Sequence, residues 1–429
     1  MDKKQQVIQW LEDHRQDYVE LLQKLVRIPS ISGNEYDVQM AVKEYAESHG
    51  FAVEARAFDE EGKRPNLLIT YPGTGGGKRL LLDCHSDTVP VEPGQQWVHD
   101  PFSGYCDGEW VYGRGATDNK WGITAIMMTL RALKECDVKL SGDVLMQSAI
   151  GEEPNCDSRR YLGAGAMVRT IEPKPDMCIV CEGSIKKVGT ETPRNLKFSL
   201  KIEGKGCHPC TRRQCVFPQN AGFPCGSEKG VDALQKAMII IDALYRLERE
   251  LSANYNRGGL VGTGGAADAP RDTIGAVTIT PIEIKGGGVN SLIPSIEMQY
   301  SAHYSAQFSR EEMEGLIRST IENAANTDLW LREHPPVVEV SAANDGFYTD
   351  VNHPLVELVK QAHFQVYGEA TNASGWPAGC NADAMNDIVP CVVYGPTGEG
   401  AHTLNERSNV RDVLDTCKVY AMAAMDFCK

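Results

Sequence analysis

Acidic and histidine side chains stand at the ends of apolar segments, or in glycine-containing stretches between them, at several points along the chain. These residues are His85, Asp87, Asp118, Glu152, Glu153, Glu182 and His402. Imidazole nitrogens and carboxylate oxygens are hard or borderline ligands that suit divalent cations. Two such ions bridged by a carboxylate activate water and polarise a carbonyl group. The residue types therefore predict a site for a pair of divalent metal ions.

Each of these residues also has an interpretation without catalysis. Asp118 precedes a helical pattern that begins near Asn119, where an aspartate commonly caps a helix. The remaining acids could be solvated loop carboxylates, and the histidines could be satisfied by neighbouring polar groups. Glu152 and Glu153 are adjacent, however, and both stay ionised near one site only if a cation lies beside them. The combination favours the metal site, whereas we expect Asp83, inside an apolar run, to be structural.

The elements that must position these side chains alternate between strand and helix patterns. Strands are predicted over 51–58, 66–72, 79–84, 143–150 and 176–182, and a helix with an apolar face is predicted over 119–136. Such alternation favours an α/β fold with a mixed, mostly parallel sheet between helices. Ligands of open α/β sheets bind at the carboxyl ends of the strands. The predicted metal ligands follow those ends.

The order of the predicted elements changes near residue 193. Strand, helix, strand, strand, helix, strand is the order of a ferredoxin-like α+β unit. We therefore predict a first domain that begins at 1–192, an inserted ferredoxin-like domain over 193–342, and a return to the first domain over 343–429.

The bulk composition excludes several classes of partner. The formal net charge is −15, and lysine and arginine are scattered among acidic residues. The chain therefore lacks the clustered positive charge that nucleic-acid binding requires. No apolar run approaches the length of a membrane span, and the first 26 residues show an amphipathic helix pattern instead of a secretory signal. We expect a cytoplasmic protein that binds neither nucleic acid nor membrane.

The cysteines are numerous but dispersed, which favours reduced thiols over a disulfide scaffold. Fourteen are present, and only one stretch gathers several of them: Cys207, Cys210, Cys215 and Cys225. That stretch is either a structural zinc site or a loop with small packing thiols, and the second interpretation is preferred. Cys178 and Cys181 lie three apart in a predicted strand, so we expect their thiols to point to opposite faces.

Several sequence motifs, taken together and in order, resemble a family of dinuclear zinc hydrolases. The motifs are LQKLVRIPSISGNE, LLLDCHSDTVPV, VYGRGATDNKWG, IGEEPN, CEGS, GGGVNSLIP and YGPTGEGAHTLNE. The family includes acetylornithine deacetylase, succinyl-diaminopimelate desuccinylase, aminoacylase and glutamate carboxypeptidase. The resemblance runs from about residue 20 to the C-terminus.

The resemblance implies a role for each candidate residue of the site. Asp118 would bridge two divalent ions, most readily Zn²⁺ but with Co²⁺ or Mn²⁺ as alternatives. His85 and Glu182 would hold one ion, and Glu153 and His402 the other. The catalytic residues would be Glu152, as the general base, and Asp87, which would orient the imidazole of His85.

The inserted domain resembles the family's lid and dimerisation domain. His208 matches a catalytic histidine that reaches the partner subunit's site and hydrogen-bonds the oxyanion, although the surrounding thiols could instead recruit it as a metal ligand. Asn290 matches an asparagine that faces the substrate. The loop after His208 is longer than is usual in the family, and the acid and arginine common in strand 293–305 are missing. Arg212 and Arg213 could bind a substrate carboxylate instead, although solvated loop arginines are the preferred interpretation.

The resemblance implies a metal-dependent amidohydrolase that cleaves a small N-acyl amino acid or peptide-like substrate, acting as a deacylase and forming a homodimer through the lid. Glu182 favours this choice over a dipeptidase, because deacylase and carboxypeptidase relatives resemble it in having glutamate there, whereas aminopeptidase and dipeptidase relatives more often have aspartate. A metallo-carboxypeptidase or dipeptidase is the alternative within the family. A non-catalytic homologue that binds a partner is the alternative from another class, and Glu152 argues against it.

Overall fold

The computed structural model describes two compact units. The described residues are 2–216, 226–254, 277–288, 290–305, 308–344, 346–376 and 378–429. The first unit comprises Met1–Thr192 and Phe347–Lys429, and the second comprises Pro193–Gly346. The second boundary lies four residues beyond the predicted 342, because the last strand of the inserted unit continues to Asn344.

The helices of the described residues include, at the N-terminus and over 119–136, the ones that amphipathic patterns predicted. They are α1 (Lys3–Asp13), α2 (Arg15–Val26), α3 (Tyr36–Ser48), α4 (Lys120–Glu135), α5 (Cys156–Tyr161), α6 (Ala164–Thr170), α7 (Arg212–Val216), α8 (Ala233–Asn254), α9 (Arg310–Ala325), α10 (Leu329–Glu333), α11 (Pro354–Tyr367), α12 (Ala382–Met385) and α13 (Val410–Phe427). The single amphipathic pattern at the N-terminus forms two helices, because the chain leaves the helical conformation at His14.

The strands form three sheets within the described residues. They are β1 (Ala52–Ala57), β2 (Pro65–Tyr71), β3 (Leu80–His85), β4 (Tyr105–Cys106), β5 (Trp110–Tyr112), β6 (Val144–Ala149), β7 (Met177–Val180), β8 (Val188–Glu191), β9 (Arg194–Glu203), β10 (Val277–Gly286), β11 (Ser295–Tyr304), β12 (Val337–Asn344), β13 (Ala373–Gly375), β14 (Cys391–Val393), β15 (Gly398–Glu399) and β16 (Arg407–Asn409).

The central sheet of the first unit has the order β1-β2-β6-β3-β7-β14-β8-β13. Its middle strands β6, β3, β7 and β14 are parallel neighbours, whereas β1, β2 and the β14–β8 contact pair antiparallel. The fold is thus the predicted mixed, mostly parallel α/β sheet between helices.

Strand β3 shows why the apolar run before His85 lies at the centre of this sheet. Its side chains are buried on both faces, as is typical of a central parallel strand. Leu80 and Leu82 join the core on one side, and Leu81 joins a second core on the other. Burying each leucine stabilises the fold by roughly 1.5–3 kcal/mol.

A small third sheet, which the sequence did not predict, has the order β15-β16-β5-β4. Arg407 in β16 pairs with Tyr112 in β5, and Ser408 pairs with Val111. This pairing holds the segment that precedes Asp118 next to the segment that follows His402.

The second unit has the predicted ferredoxin-like architecture. Its sheet has the order β10-β11-β9-β12, with every neighbouring pair antiparallel. Helices α8 and α9 share one core with the inward side chains of the sheet: Ile317 of α9 belongs to this core together with Phe198 of β9 and Met298 of β11. Helix α9 begins with a capping box in which Ser309 and Glu312 exchange hydrogen bonds.

No helix in the described part of the chain is long and apolar enough to cross a membrane.

Candidate metal centre

The candidate site lies at the carboxyl edge of the three parallel strands β6, β3 and β7. Strand β3 ends at His85, Glu152 and Glu153 follow β6, and Glu182 follows β7. Because the strands are parallel neighbours, these side chains emerge at the same edge. Asp118 precedes α4 and is not its cap, since the helix begins after Asn119. The capping interpretation of Asp118 was therefore wrong.

His85, Asp118 and Glu182 form a first group of three potential metal ligands. The His85 Nε2 atom lies 3.0 Å from Asp118 Oδ1 and 3.5 Å from Glu182 Oε1. His85 and Glu182 are buried, and Asp118 is partly buried. One divalent ion could take one atom from each of these residues.

Asp118, Glu153 and His402 form a second group of three. The His402 Nε2 atom lies 3.1 Å from Asp118 Oδ2 and 2.9 Å from Glu153 Oε2. Asp118 therefore belongs to both groups and offers a different carboxylate oxygen to each. This is the arrangement that a carboxylate bridging two ions requires.

Asp87 connects the imidazole of His85 with the glutamate pair. His85 Nδ1 lies 3.1 Å from the Asp87 carbonyl oxygen and 3.5 Å from its carboxylate Oδ1. The Asp87 carboxylate accepts hydrogen bonds from the backbone N–H groups of Glu152 (3.0 Å) and Glu153 (3.2 Å), and from Ser32 Oγ (2.7 Å). Because Nδ1 faces only acceptors, it carries the proton and Nε2 is turned towards Asp118.

Glu152 lies outside both groups of three, although it is next to Glu153 in the chain. Its carboxylate is buried, and the Nε atom of Arg159 lies 2.8 Å from Oε1. The N–H of that nitrogen is directed to the Glu152 carbonyl oxygen, also at 2.8 Å. The carboxylate is thus paired with a charge but keeps its lone pairs for another proton donor.

The electrostatics of the cluster show an excess of negative charge that calls for cations. Burial raises the pKa of Glu152 well above its usual range, and burial together with Asp118 raises the pKa of Glu182 to about 7. Hydrogen bonds to Asp118 and Glu153 raise the pKa of His402 to about 10. Burial alone would lower the pKa of His85, yet its carboxylate neighbours raise it well above the ordinary value. Protons on the two imidazoles thus compensate part of the negative charge of the carboxylates, as bound metal ions could do instead.

The residues present fit two divalent cations. The donors are imidazole nitrogens and carboxylate oxygens, the set that Zn²⁺, Co²⁺ and Mn²⁺ accept. The Oε1 atom of Glu153 is buried without a hydrogen-bond partner, which is costly unless something binds it. Each group of three leaves coordination positions open, as catalytic metal sites do.

Glu406 is a site residue to which the sequence assigned no role. It is fully buried, accepts hydrogen bonds from the backbone N–H groups of Thr117 (2.8 Å) and Asp118 (2.9 Å), and pairs with Arg114 Nη1 at 2.6 Å. It therefore fixes the main chain that carries the shared aspartate. The sequence signal that could have indicated this role is its position four residues after His402. The sequence analysis also assigned no role to Arg159, the partner of Glu152.

Asp83 has a structural role, as expected. Its buried carboxylate accepts hydrogen bonds from Gln147 Nε2 (2.8 Å) and Asn381 Nδ2 (2.9 Å). Burial raises its pKa to about 7. The network ties β3 to β6 and to the loop before α12.

The remaining candidates, His208, Asn290 and Arg212, belong to the inserted unit. His208 Nδ1 lies 2.9 Å from Cys210 Sγ. Asn290 is exposed with a positive φ of 53°. Arg212 is paired with Asp232 of its own unit at 3.0 Å, and this contact does not favour its predicted role as a substrate carboxylate binder.

The cysteine-rich segment does not gather a ligand set in the residues that the structure describes. The thiols of Cys207 and Cys215 are 3.4 Å apart, but no group of three or more donors includes them within the described residues. Cys225 lies outside those residues. Cys178 and Cys181 join different cores, as their strand spacing predicted.

The sequence of the chain matches a known protein family. The family model described as peptidase family M20/M25/M40 matches residues 81–426. The N-formyl-4-amino-5-aminomethyl-2-methylpyrimidine deformylase of Halalkalibacterium halodurans is 24% identical over 454 aligned residues, covering 99% of this chain and 97% of that protein.

Two solved structures share the fold. Aminopeptidase PepT from Bacillus cereus superposes with a TM-score of 0.72 at 19% identity, covering 97% of this chain and 99% of its own. The Bacillus subtilis YxeP protein, a dinuclear metal-binding peptidase of the M20 family, superposes with a TM-score of 0.67 at 13% identity, covering 97% and 99%.

Proposed function

The chain belongs to peptidase family M20/M25/M40, and from that premise we propose that it is a dinuclear metal-dependent deacylase of small N-acyl substrates. Membership makes it a metallohydrolase that acts on amides or peptides. The observation that carries the proposal is the position of Asp118 in both ligand groups, with Glu152 beside but outside them.

The two ligand groups would hold two divalent ions. His85 and Glu182 would hold one, Glu153 and His402 the other, and Asp118 would bridge them. When bound, the ions supply Lewis-acid polarisation of the scissile carbonyl and acidify the attacking water. We propose Zn²⁺ for both, because imidazole and carboxylate ligands with open positions are typical of catalytic zinc.

The side chains of the chain then manage the protons. Glu152 accepts the proton of the attacking water at its carboxylate and delivers it to the leaving nitrogen. Its free lone pairs and its buried position support this role. Asp87 keeps the imidazole of His85 in the tautomer that leaves Nε2 unprotonated for a ligand.

The deacylase assignment is supported by two observations. The deformylase relative is named for an N-formyl compound and aligns over nearly the whole chain. Deacylases and carboxypeptidases of the family have glutamate at the position of Glu182, whereas aminopeptidases and dipeptidases more often have aspartate, so Glu182 favours a deacylase over a dipeptidase. Carboxypeptidase or dipeptidase action remains the second candidate, since the solved structures named above are peptidases.

A homodimer through the inserted unit is part of the proposal. Helix α8 exposes Leu234, Met238 and Tyr245, which recur on one helical face. Strand β10 is an edge of its sheet and exposes Ile282 and Ile284. Unpaired edges and apolar faces of this kind are typical of association surfaces.

We propose that His208 acts in the partner subunit's site and that Asn290 faces the substrate. Mixing chains that carry His208→Ala with chains that carry Glu152→Gln tests the first role. Hybrid dimers should then contain one site with both residues intact and recover part of the activity. Proven subunit exchange without recovery would refute action across subunits.

The function itself is tested with a substrate panel. N-formyl, N-acetyl, N-succinyl and N-carbamoyl amino acids and dipeptides would be offered to protein loaded with Zn²⁺, Co²⁺ or Mn²⁺, and to chelated protein. Metal-dependent release of free amine from one acyl class is the expected result. Hydrolysis of dipeptides alone would favour the second candidate, and the absence of any hydrolysis with two ions bound would refute the deacylase.

A further inference from the structure

The inserted unit holds two thiols in contact. Cys207 and Cys215, eight positions apart in the chain, place their Sγ atoms 3.4 Å from each other. We propose that this pair is a site of reversible oxidation, which forms an intramolecular disulfide by exchange with a low-molecular-weight disulfide such as oxidised glutathione. This chemistry is independent of the proposed function.

Different parts of the unit hold the two thiols in place. The Cys207 carbonyl oxygen accepts a hydrogen bond from the backbone N–H of Leu292 at 2.8 Å. Its Sγ lies against Gly230, where a Cβ atom would come within 2.5 Å of the sulfur. Only glycine at 230 leaves room for this thiol. Cys207 is therefore anchored by its main chain and confined on one side.

Cys215 approaches from the short helix α7. Its thiol also lies 3.7 Å from the Thr211 carbonyl oxygen. An S–S bond is about 2.05 Å long, so the two sulfurs need to approach by a little over 1 Å to bond. We expect α7, a helix of only five residues, to move, because Cys207 is held by its main chain. The pair is thus poised for a bond with little rearrangement.

The exchange balances in two steps. One cysteine thiolate attacks the small disulfide, forms a mixed disulfide and releases one small thiol. The second cysteine thiolate attacks the protein sulfur of that mixed disulfide and releases the other small thiol. The protein loses two electrons and two protons, and the small disulfide is reduced to two thiols. A small-molecule thiol in excess reverses the reaction.

The disulfide would close a loop around His208. The enclosed segment also contains Cys210, whose thiol is exposed and lies 2.9 Å from His208 Nδ1. Cross-linking fixes both ends of this segment and restricts the histidine. A decrease in turnover on oxidation is the consequence, and this consequence alone depends on the proposed role of His208.

Trypsin makes the cross-link readable. Arg212 and Arg213 separate the two thiols, so digestion releases Cys207 with Cys210 on one peptide and Cys215 with Cys225 on another. The double variant Cys210→Ser with Cys225→Ser leaves one thiol on each peptide. A linked pair of peptides from this variant then identifies the bond between Cys207 and Cys215 without ambiguity.

The experiment equilibrates the full-length, metal-loaded double variant and wild type with mixtures of oxidised and reduced glutathione, followed by alkylation and peptide mapping. We expect the linked peptides to increase with the oxidised fraction and to disappear with dithiothreitol. Adding Cys215→Ser to the double variant should abolish them. Mixed disulfides with glutathione but no linked peptides would overturn the proposal.

Turnover is measured on the same samples. We expect a reversible loss of at least several-fold in wild type and in Cys210→Ser, but not in Cys207→Ser. Unchanged turnover in fully cross-linked protein would refute the regulatory consequence. Failure of the proposed function is distinguishable, because the reduced wild type would then hydrolyse none of the panel substrates whatever the state of the thiols.

Discussion

The same substitution at the adjacent residues Glu152 and Glu153 should affect metal content and turnover differently. Glu152 lies outside both ligand groups, whereas Glu153 Oε2 lies 2.9 Å from His402 Nε2 within the second group. Glu152→Gln keeps the shape of the side chain and the hydrogen bond that Arg159 donates to the Glu152 carbonyl oxygen. It removes the proton acceptor and the negative charge that faces Arg159, which keeps a second carboxylate partner in Asp383 at 3.3 Å. Glu153→Gln instead removes one ligand.

The expected magnitude follows from these roles. A positioned general base contributes about 10²–10⁴-fold to the rate, equivalent to about 2.7–5.4 kcal/mol of transition-state stabilisation. Glu152→Gln should therefore lower kcat by that factor with KM nearly unchanged and both ions retained. Glu153→Gln should retain about one ion per chain.

The assay combines metal analysis after dialysis with steady-state kinetics on the best panel substrate, and each variant is the control for the other. Thermal unfolding checks that both fold. If Glu152→Gln kept activity within tenfold of wild type, the general-base assignment would be wrong. If it lost an ion while Glu153→Gln did not, the two roles would have to be exchanged.

Three other predictions concern the surroundings of the site. Glu406→Gln leaves the buried guanidinium of Arg114 without its counter-charge, so it should lower the free energy of unfolding by about 3–5 kcal/mol and weaken metal binding. A variant with the wild-type free energy of unfolding in denaturant and the wild-type metal affinity would contradict this. Gly151→Ala, at φ +66° with the Ser158 hydroxyl overlapping the new Cβ, should destabilise the protein more than Gly62→Ala, which has the same φ but open space around it. Gly62→Ala should cost about 1–2 kcal/mol, and equal losses in thermal unfolding would refute the steric argument. The pKa of His402 is raised from 6.5 to about 10 without bound metal, so the stabilisation that its proton gives is complete below pH 6.5 and is lost as the pH rises towards 10. His402→Asn should flatten this decline of the free energy of unfolding with pH in chelated protein. An unchanged slope of that free energy against pH would count against the prediction.

Much of the fold could be predicted because its long elements carry strong periodic signals. Helix α4 (Lys120–Glu135) lies within the predicted residues 119–136, and β3 follows the apolar run before His85. The small sheet could not be predicted, because its strands have two or three residues and show no periodicity. Its pairing of Arg407 with Tyr112 joins residues that are 295 positions apart in the chain. Such non-local contacts leave no local pattern.

The residue types of the site were predictable, but their neighbours were not. Carboxylates and imidazoles after apolar segments and in glycine-containing loops pointed to Asp118 and His402, and the resemblance assigned their partners. The sequence could not show that the two oxygens of Asp118 face different histidines. It also could not show that Arg159 pairs with Glu152 or that Glu406 holds the main chain of Asp118, because these contacts join separate elements.

Anomalous diffraction from crystals of the zinc-loaded protein at the zinc absorption edge tests the dinuclear site most directly. We expect two peaks about 3.5–4 Å apart, one beside His85 and Glu182 and the other beside Glu153 and His402, with Asp118 between them. A single peak, or peaks located at the cysteine segment that begins at Cys207 instead, would contradict it.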